Sequence, residues 1–472
     1  MIGVADKLTG FTGELLTRGD DRYDAARRVW NAAIDRYPAL IARAQCTADV
    51  MAVVRFAREQ GLPLSIRGGG HSAAGLAVAD DAVMLDLSAL KAVAVDPVGR
   101  TAVAAAGLRW DELDAATQAH GLAVTGGVVG STGISGLTLG GGIGWMDRFA
   151  GLTCDNVLSA EVVTADGRTL RASAAEHPDL LWALRGGGGN FGVVTSFSFR
   201  LHPVTAVHCG IIGCSFDRAP DVLRAYAQFS EQAPDRLALY ASLATAPPAP
   251  FIPEHVRGQR VAVLLMAYFG TADETQAALA PLRPLLPRPA IDVTLPMSYQ
   301  QVQRLSDAIS APGLHHYYTA EWLTGLDDQA IEGLVMVGMA AAELSPRSVI
   351  AIKRMGGAVA HVPADGTAFW YRNAAHNLDI HAMWAPGEDP VPHVSWARGV
   401  RQTARHVSSG GGYINFIGAD QGSERVRSAY GGNYARLAEV KAGYDPDNFF
   451  RINHNIQPAQ TFQRSGPPEA GS

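Results

Sequence analysis

The chain has 472 residues, with 39 lysines and arginines against 45 aspartates and glutamates, which gives a net charge of −6. At about 150 residues per domain, this length allows two or three domains. The basic residues form no block, so nucleic acid is excluded as a partner, because phosphate binding requires clustered lysines and arginines. No apolar run reaches the roughly 18 residues of a membrane span, and the first residues lack the apolar segment of a signal peptide. We therefore expect a cytoplasmic protein with no membrane contact.

The four cysteines, Cys46, Cys154, Cys209 and Cys214, contain no CxxC pair. No histidine accompanies them in a ligand-like pattern, so we predict no metal site. Reduced and mostly buried thiols are expected instead.

The first predicted elements precede the glycine run at 68–70. Residues 21–46 contain a helix start and then a break at Pro38. From Thr47, the apolar spacing predicts an amphipathic helix with Thr47 as its N-cap. A turn at Gly61 and the strand PLSIR, residues 63–67, follow.

More strands and a helix continue toward residue 205. The runs VMLDLSAL (83–90) and GRTAVAAAG (99–107) are strand-like, and a helix from Trp110 is closed by Gly121. Residues 157–173 place a D-G turn between two apolar runs, which is a strong hairpin signal.

Beyond residue 205 the pattern changes. Alternating apolar strands are interleaved with helical stretches, which predicts an antiparallel sheet covered on one face by helices. Residues 423–456 predict one amphipathic helix followed by a proline-containing loop. We expect an N-terminal part at 1–205, a substrate-binding α+β domain at 206–420, a C-terminal segment at 421–460 that returns to the first part, and a flexible tail at 461–472.

Three glycine clusters lie in the N-terminal part, at 68–70, 140–144 and 186–192. Successive glycines allow backbone N–H groups to converge on a diphosphate. The alternative is a set of tight turns in a glycine-rich fold. His71 follows the first cluster directly, so it is either a hydrogen-bonded core histidine or a nucleophile toward a bound cofactor.

The third cluster matches the dinucleotide pattern G-x-G-x-x-G at Gly187, Gly189 and Gly192. A Rossmann site requires the order strand, loop, helix. Here a predicted helix precedes the loop and a strand follows it, so we expect no Rossmann site.

Five segments together resemble one flavoprotein family: 66–72 (IRGGGHS), 126–145, 151–167, 182–197 and 433–458. They are similar to the berberine bridge enzyme-like family, within the vanillyl-alcohol oxidase flavoprotein fold. The resemblance implies an α+β fold in which a two-part PCMH-type FAD-binding domain is joined to an antiparallel-sheet substrate domain covered by helices.

The same resemblance implies a covalent FAD, bonded through its 8-methyl carbon to His71. Some members carry a second, cysteinyl link; Val129 stands at that position and Cys154 lies outside the motif, so we expect a single histidyl link. The residues implied to contact FAD are Arg67, Gly68, Gly69, Gly70, His71, Ser72, Gly127, Val129, Ser131, Thr132, Gly133, Gly136, Leu137, Gly140, Gly141, Gly144, Asn156, Gly192, Val194, Tyr413, Asn415, Asn453 and Asn455.

The resemblance does not carry the catalytic tyrosine of the plant members over to this chain. Several plant members have a catalytic tyrosine in a Y-x-N-Y motif, but this chain reads YINF at 413–416, and Phe416 has no hydroxyl. Tyr413 is either close to the flavin or substrate, or a core tyrosine with a satisfied hydroxyl.

Other catalytic candidates come from strands of the second domain. They are Tyr240, Tyr318 and His316, with Tyr371 and His381 as further residues of the same kind, and each could instead fill the layer between sheet and helices. Strand alternation places His316 and Tyr318 on one face. Lys353 and Arg354 either neutralise an anionic substrate or lie at a sheet edge.

We expect an FAD-dependent oxidase in which a small alcohol, amine or secondary-metabolite intermediate gives hydride to the flavin and dioxygen becomes peroxide. A second reading is an oxygenase of a polyketide-like metabolite, because Thr132, Leu137 and Tyr240 match positions of an oxygen pocket in a bacterial subset of relatives. A third is a flavin-loaded binding protein without turnover. The sequence contains no recognisable pattern that identifies the substrate or the oligomeric state.

Overall fold

The computed structural model describes residues 8–249 and 252–460, so the tail expected at 461–472 lies outside the described residues. The described strands are β1 (Glu14–Leu16), β2 (Leu40–Arg43), β3 (Leu64–Arg67), β4 (Val83–Asp86), β5 (Val93–Asp96), β6 (Thr101–Ala105), β7 (Leu122–Ala123), β8 (Val157–Val163), β9 (Thr169–Ser173), β10 (Val193–Arg200), β11 (His202–Pro203), β12 (Val207–Ser215), β13 (Leu237–Thr245), β14 (Arg260–Tyr268), β15 (Ile291–Met297), β16 (His315–Leu323), β17 (Val349–Arg354) and β18 (His376–Trp384).

Helices alternate with these strands along the chain. The described helices are α1 (Tyr23–Arg27), α2 (Thr47–Glu59), α3 (Trp110–Gln118), α4 (Ile134–Leu139), α5 (Asp147–Ala150), α6 (Pro178–Leu184), α7 (Ala219–Ser230), α8 (Ala272–Leu279), α9 (Tyr299–Gln303), α10 (Asp328–Leu344), α11 (Ala358–His361), α12 (Pro390–Thr403), α13 (Gly422–Tyr430) and α14 (Tyr434–Tyr444). In the described part of the chain, no helix has both the length and the apolar character needed to cross a membrane.

The first half of the chain builds two main sheets around one hydrophobic core. One has the order β1-β2-β4-β3, with β2 and β3 parallel to β4. The other, β5-β6-β10-β8-β9, is antiparallel and contains the predicted hairpin as β8 and β9. Val53 of α2, Leu85 of β4, Phe197 of β10 and Leu437 of α14 share the core, so the C-terminal helix packs on this half.

The second half is dominated by a sheet with the order β15-β12-β14-β13-β17-β18-β16, in which every neighbouring pair is antiparallel. Helices α7, α10 and α12 cover one face through side chains such as Leu223, Leu334 and Trp396. The prediction of an antiparallel sheet with helices on one face is confirmed, and with it the α+β fold class.

The local predictions for two helices need correction. Thr47 is the first residue of α2 and Cys46 holds the N-cap position; the side chain that accepts from nearby backbone is Asp49, from the N–H of Gln45 at 2.8 Å. The single helix predicted from residue 423 is two helices. It breaks at Gly431, which has a φ of +50°, and a Cβ there would lie 2.2 Å from the Trp370 ring, so tertiary packing ends the helix.

Lys353 joins the two halves of the chain. Both interpretations drawn from the sequence, a partner for an anionic substrate or a residue at a sheet edge, are wrong. It lies on β17, which is inside the sheet between β13 and β18, so it is neither at an edge nor free for an anion. Its ammonium pairs with the buried Asp147 carboxylate of α5 and donates to the Gly144 carbonyl at 2.5 Å. Burial lowers the pKa of Lys353, and the Asp147 charge opposes that shift.

We predict that Lys353→Met destabilises the protein by about 3–5 kcal/mol, because it leaves Asp147 buried without a partner. The measurement is urea unfolding followed by circular dichroism. The double variant Lys353→Met/Asp147→Leu is the control and should recover most of the lost stability. A single variant as stable as the parent would contradict the structural role given to this pair.

Candidate functional site

A cavity of about 350 Å³ lies between the first half of the chain and the uncovered face of the seven-stranded sheet. Its volume falls in the range of roughly 300–1,000 Å³ usual for small-molecule sites. Glycine loops form one part of its wall, strands β13, β16 and β18 another, and the segment from Tyr413 to Phe416 a third.

Two loops of the first half meet backbone to backbone at this cavity. The loop after β3 carries Gly69, and the loop before α4 carries Gly133. A Cβ on Gly69 would lie 2.2 Å from the Gly133 nitrogen, and a Cβ on Gly133 would lie 2.2 Å from the Gly69 nitrogen. Gly70 has a φ of +72°, a conformation that favours glycine. These glycines are required so that the two loops can touch.

Other glycines leave open space along the wall. Gly136 and Gly189 both line the cavity, and a Cβ on either would meet nothing within 4 Å. Gly189 belongs to the loop between α6 and β10, so the order helix, loop, strand is confirmed and a Rossmann site is excluded. The glycine positions of the wall, called the cradle below, therefore leave space in which a ligand can lie against the backbone.

His71 follows the loop glycines, and its imidazole is partly buried. Its Nε2 lies 3.0 Å from the Ser131 hydroxyl oxygen and its Nδ1 lies 3.5 Å from that of Thr132. The Trp30 indole stacks on the imidazole with 5.0 Å between centroids. Burial lowers the pKa of His71 to about 4. The imidazole is therefore neutral at pH 7 and keeps a lone pair for bonding.

Most of the predicted cofactor contacts line this cavity. Those on the wall are Gly68, Gly69, Gly70, His71, Ser72, Gly127, Val129, Thr132, Gly133, Gly136, Leu137, Gly140, Gly192, Val194, Tyr413, Asn415 and Asn453.

Two predicted contacts lie off the described wall because their side chains serve the protein itself. The Arg67 guanidinium pairs with the buried Asp86 carboxylate. The Asn156 amide donates to the Ala150 carbonyl at 2.9 Å, and its oxygen lies 2.7 Å from Nε2 of His202. Both residues support the loops near the cavity and do not face it.

The remaining predicted contacts are also displaced from the wall that the described residues form. A Cβ on Gly141 would lie 2.7 Å from the Phe369 ring, and one on Gly144 would lie 1.8 Å from the carbonyl oxygen of Gly126, so these glycines serve internal packing. Ser131 acts through its bond to His71. Asn455 lies beyond the wall.

Tyr413 lines the cavity and also has a satisfied hydroxyl. That oxygen accepts from the N–H groups of Gly142 at 3.1 Å and Ile143 at 3.3 Å, and from the Asn415 amide at 2.7 Å. Burial raises the pKa of Tyr413, against the effect of these donors. The tyrosine therefore fixes the 142–143 backbone and presents its ring to the cavity. Phe416 also lines the cavity.

Aromatic groups from the sheet form the opposite part of the wall. Tyr240 of β13, Tyr318 of β16 and His381 of β18 line it, and Tyr318 stacks on His381 with 4.2 Å between centroids. The Tyr240 hydroxyl and His381 Nε2 are buried and have no protein partner among the described residues. Burial lowers the pKa of His381 to about 4. His316 lies on the same strand face as Tyr318 but is off the cavity wall, stacked on Trp30.

Sequence reasoning missed Asp379, which lines the cavity from β18. Its Oδ1 is buried without a partner within the described residues. Burial raises the pKa of Asp379 to about 8, and the Lys353 charge opposes the shift. A signal was available, because alternation along β18 puts Asp379 on the same face as His381, which the sequence had already singled out.

Asp379 is the one carboxyl group that the described residues place on this wall. No lysine or arginine lines the cavity in the described ranges, and none of the four cysteines does. Cys46 is exposed, and the other three cysteines are buried and free, as predicted. Other wall residues missed from sequence are Trp30, Ser310, Asn190 and His454. Trp30 and Ser310 belong to no motif, whereas Asn190 lies in the third glycine cluster and His454 in the segment 433–458.

Comparison with protein families matches two parts of the chain, one that carries the first two glycine clusters and one that carries Tyr413. The model described as FAD binding domain matches residues 38–173. The model described as berberine and berberine like matches residues 412–457.

Whole-length relatives agree with these matches. An uncharacterized FAD-linked oxidoreductase of Bacillus subtilis is 30% identical over 458 residues, which is 95% of this chain and 98% of the relative. The (R)-6-hydroxynicotine oxidase of Paenarthrobacter nicotinovorans is 28% identical over 471 residues, 94% of this chain and 97% of that enzyme.

Solved structures show the same architecture. The 6-hydroxy-D-nicotine oxidase from Arthrobacter nicotinovorans superposes with a TM-score of 0.83 at 27% identity, covering 95% of this chain and 99% of that one. Physcomitrella patens BBE-like 1 gives a TM-score of 0.86 at 22% identity, over 97% of this chain and 99% of that one, which supports the fold alone. Taken with the glycine cradle, these matches show that the chain belongs to the berberine bridge enzyme-like family of FAD-linked oxidoreductases.

Proposed function

We propose that the protein is an oxidase that holds FAD through one bond to His71 and oxidises a small alcohol, amine or secondary-metabolite intermediate. When bound, the flavin accepts hydride from the substrate and passes the electrons to dioxygen, which yields hydrogen peroxide. The observation that carries the proposal is that His71, a neutral nucleophile, and Asp379, an unpaired carboxyl, face one cavity. Membership in an oxidoreductase family removes the support for a binding protein without turnover.

The cavity fits a flavin nucleotide held mainly by backbone. The open positions at Gly136 and Gly189 leave room for a diphosphate against N–H groups. The Asn453 Oδ1 is buried without a partner in the described structure and can accept a bond from the cofactor. Val129 lies on the wall and the free cysteines lie off it, which supports a single histidyl link.

Asp379 is the proposed proton acceptor. A substrate hydroxyl or ammonium loses a proton as its carbon gives up hydride, and a carboxylate with a pKa near 8 is well matched to accept it. The unpaired Tyr240 hydroxyl and His381 Nε2 can hydrogen-bond a polar group of the substrate. Tyr318 and Phe416 exclude water from the same space.

The charge of the wall selects among substrates. In the ionised form that accepts a proton, Asp379 favours a neutral or cationic molecule, and the lack of lysine and arginine on the described wall leaves a carboxylate or phosphate of the substrate without a partner. Uncharged alcohols and amines therefore fit the sheet side of the cavity better than anionic substrates.

An oxygenase remains a second candidate because Thr132, Leu137 and Tyr240 share the cavity wall. Labelled dioxygen separates the two functions. Label in hydrogen peroxide supports the oxidase, and label in the organic product supports the oxygenase.

We predict that acid-precipitated parent protein stays yellow and that His71→Ala releases its flavin on the same treatment. The variant should still bind FAD before denaturation, because the cradle is unchanged. The measurement is the visible spectrum of pellet and supernatant. Parent protein that releases all of its flavin would rule out the covalent link.

We predict that Gly136→Leu purifies with little flavin, because its side chain fills the open space of the cradle. Gly399→Leu is the matched control: Gly399 is also an exposed helix glycine with nothing within 4 Å of its Cβ position, but it lies on α12 and does not line the cavity. Flavin absorbance per mole of folded protein is the readout. Equal flavin content in both variants would place the cofactor elsewhere.

We predict that Asp379→Asn lowers kcat/KM by roughly 10²–10⁴-fold, the usual contribution of a positioned base. The substrate is chosen by anaerobic bleaching of the flavin in a panel of alcohols and amines, followed by peroxide on re-aeration. In the parent, kcat/KM should rise as the pH passes about 8, because only the ionised carboxylate accepts a proton.

The Asp379→Glu variant serves as the control and should keep a rising limb. The assignment fails if the Asp379→Asn variant keeps both the parent rate and the parent pH profile.

A further inference from the structure

Trp30 belongs to no sequence motif, yet it lies between the loop that carries His71 and the segment that precedes β16. It follows α1, and only 7% of its surface is exposed. Its backbone N–H donates to the Gly70 carbonyl at 3.1 Å, immediately before His71 in the chain. Its indole Nε1–H donates to the Ser310 carbonyl at 2.7 Å. The Trp30 backbone is thus bonded to the loop that carries His71, and its indole is bonded to Ser310, which precedes β16.

Two imidazoles stack on this indole. The His71 ring lies at 5.0 Å between centroids with an interplanar angle of 15°, and the His316 ring lies at 3.8 Å with an angle of 22°. Both ring nitrogens of His316 are buried and have no partner in the described residues. His316 therefore acts here as a flat packing surface for Trp30, and Trp30 in turn restricts the plane of the His71 ring.

The same segment is tied to the start of β16. The Asn31 amide donates to the His316 carbonyl at 2.9 Å, and the His316 N–H donates to the Asn31 Oδ1 at 3.0 Å. The Ala32 N–H donates to the Leu314 carbonyl at 3.0 Å. These bonds hold the backbone of the segment against β16, whereas the indole ring itself is held by its own bond to the Ser310 carbonyl and by the two stacked imidazoles.

We propose that Trp30 is a positioning residue that orients His71 for attachment of the flavin, an inference that rests on the proposed covalent link. The reaction joins an imidazole nitrogen to the 8-methyl carbon and breaks one C–H bond of the methyl group and one N–H bond of the imidazole. The two electrons and two protons pass to dioxygen, which becomes hydrogen peroxide. Ser131 limits rotation of the ring within its plane, and Trp30 limits tilting of that plane.

The alternative is that Trp30 merely fills space. Two substitutions separate these roles, because phenylalanine and leucine both fill part of the volume but only phenylalanine retains a flat ring for stacking. Trp30→Phe should keep most of the attachment. Trp30→Leu should attach flavin roughly ten- to a hundredfold more slowly, because a misplaced nucleophile loses rate steeply.

The experiment follows each purified full-length variant with added FAD in air. Total bound flavin is read before denaturation, and the fraction that stays with acid-precipitated protein is read over time. Asn31→Ala is the control, since it loosens the segment from β16 and leaves the indole in place; it should attach flavin at close to the parent rate.

Normal total binding with slow attachment in Trp30→Leu, and fast attachment in Trp30→Phe, supports the role. Equal attachment in the leucine and phenylalanine variants overturns it. If Asn31→Ala is as slow as Trp30→Leu, packing of the segment and not the indole plane is responsible, which also overturns it. Parent protein without acid-stable flavin would refute the link to His71 itself, so that failure is distinguishable from failure of the Trp30 role.

Discussion

The close approach of two glycine loops is the constraint on which the site depends. Gly69 and Gly133 meet where neither can carry a side chain, since a Cβ on one would lie 2.2 Å from the backbone of the other. Glycine loses more conformational freedom on folding than any other residue, so this contact has an entropic cost that the surrounding core offsets. The contact lies directly before α4, which carries Gly136 on the cavity wall. It also holds the loop that ends in His71 beside the cradle.

The two halves of the chain contribute different chemistry to one cavity. The first half supplies backbone and a neutral imidazole, which suits a phosphate-bearing cofactor without bringing charge near the reacting atoms. The seven-stranded sheet supplies Asp379 with uncharged aromatic neighbours, because only one face of that sheet is covered by helices. Lys353 and Asp147 join the halves through a buried ion pair between β17 and α5.

Much of the fold and part of the site could be predicted from the sequence. The hairpin at 157–173 and the antiparallel sheet follow from short-range patterns, and His71 stands out because it ends a glycine run. The parts that could not be predicted depend on contacts between distant segments: Trp370 splits the C-terminal helix at Gly431, and Trp30 reaches His71 through packing. Asp379 was missed for a different reason, since its strand reads as a buried strand and its burial without a partner is visible only in three dimensions.

The proposed oxidase holds its flavin through a bond to one imidazole. The most direct measurement is the mass of the proteolytic peptides of acid-denatured parent protein, with the visible absorbance of each recorded. The peptide that contains His71 should carry the yellow colour and the added mass of the flavin nucleotide, and the peptide that contains Val129 should have its unmodified mass. A colourless His71 peptide, with the flavin free in solution or on another peptide, would contradict the account.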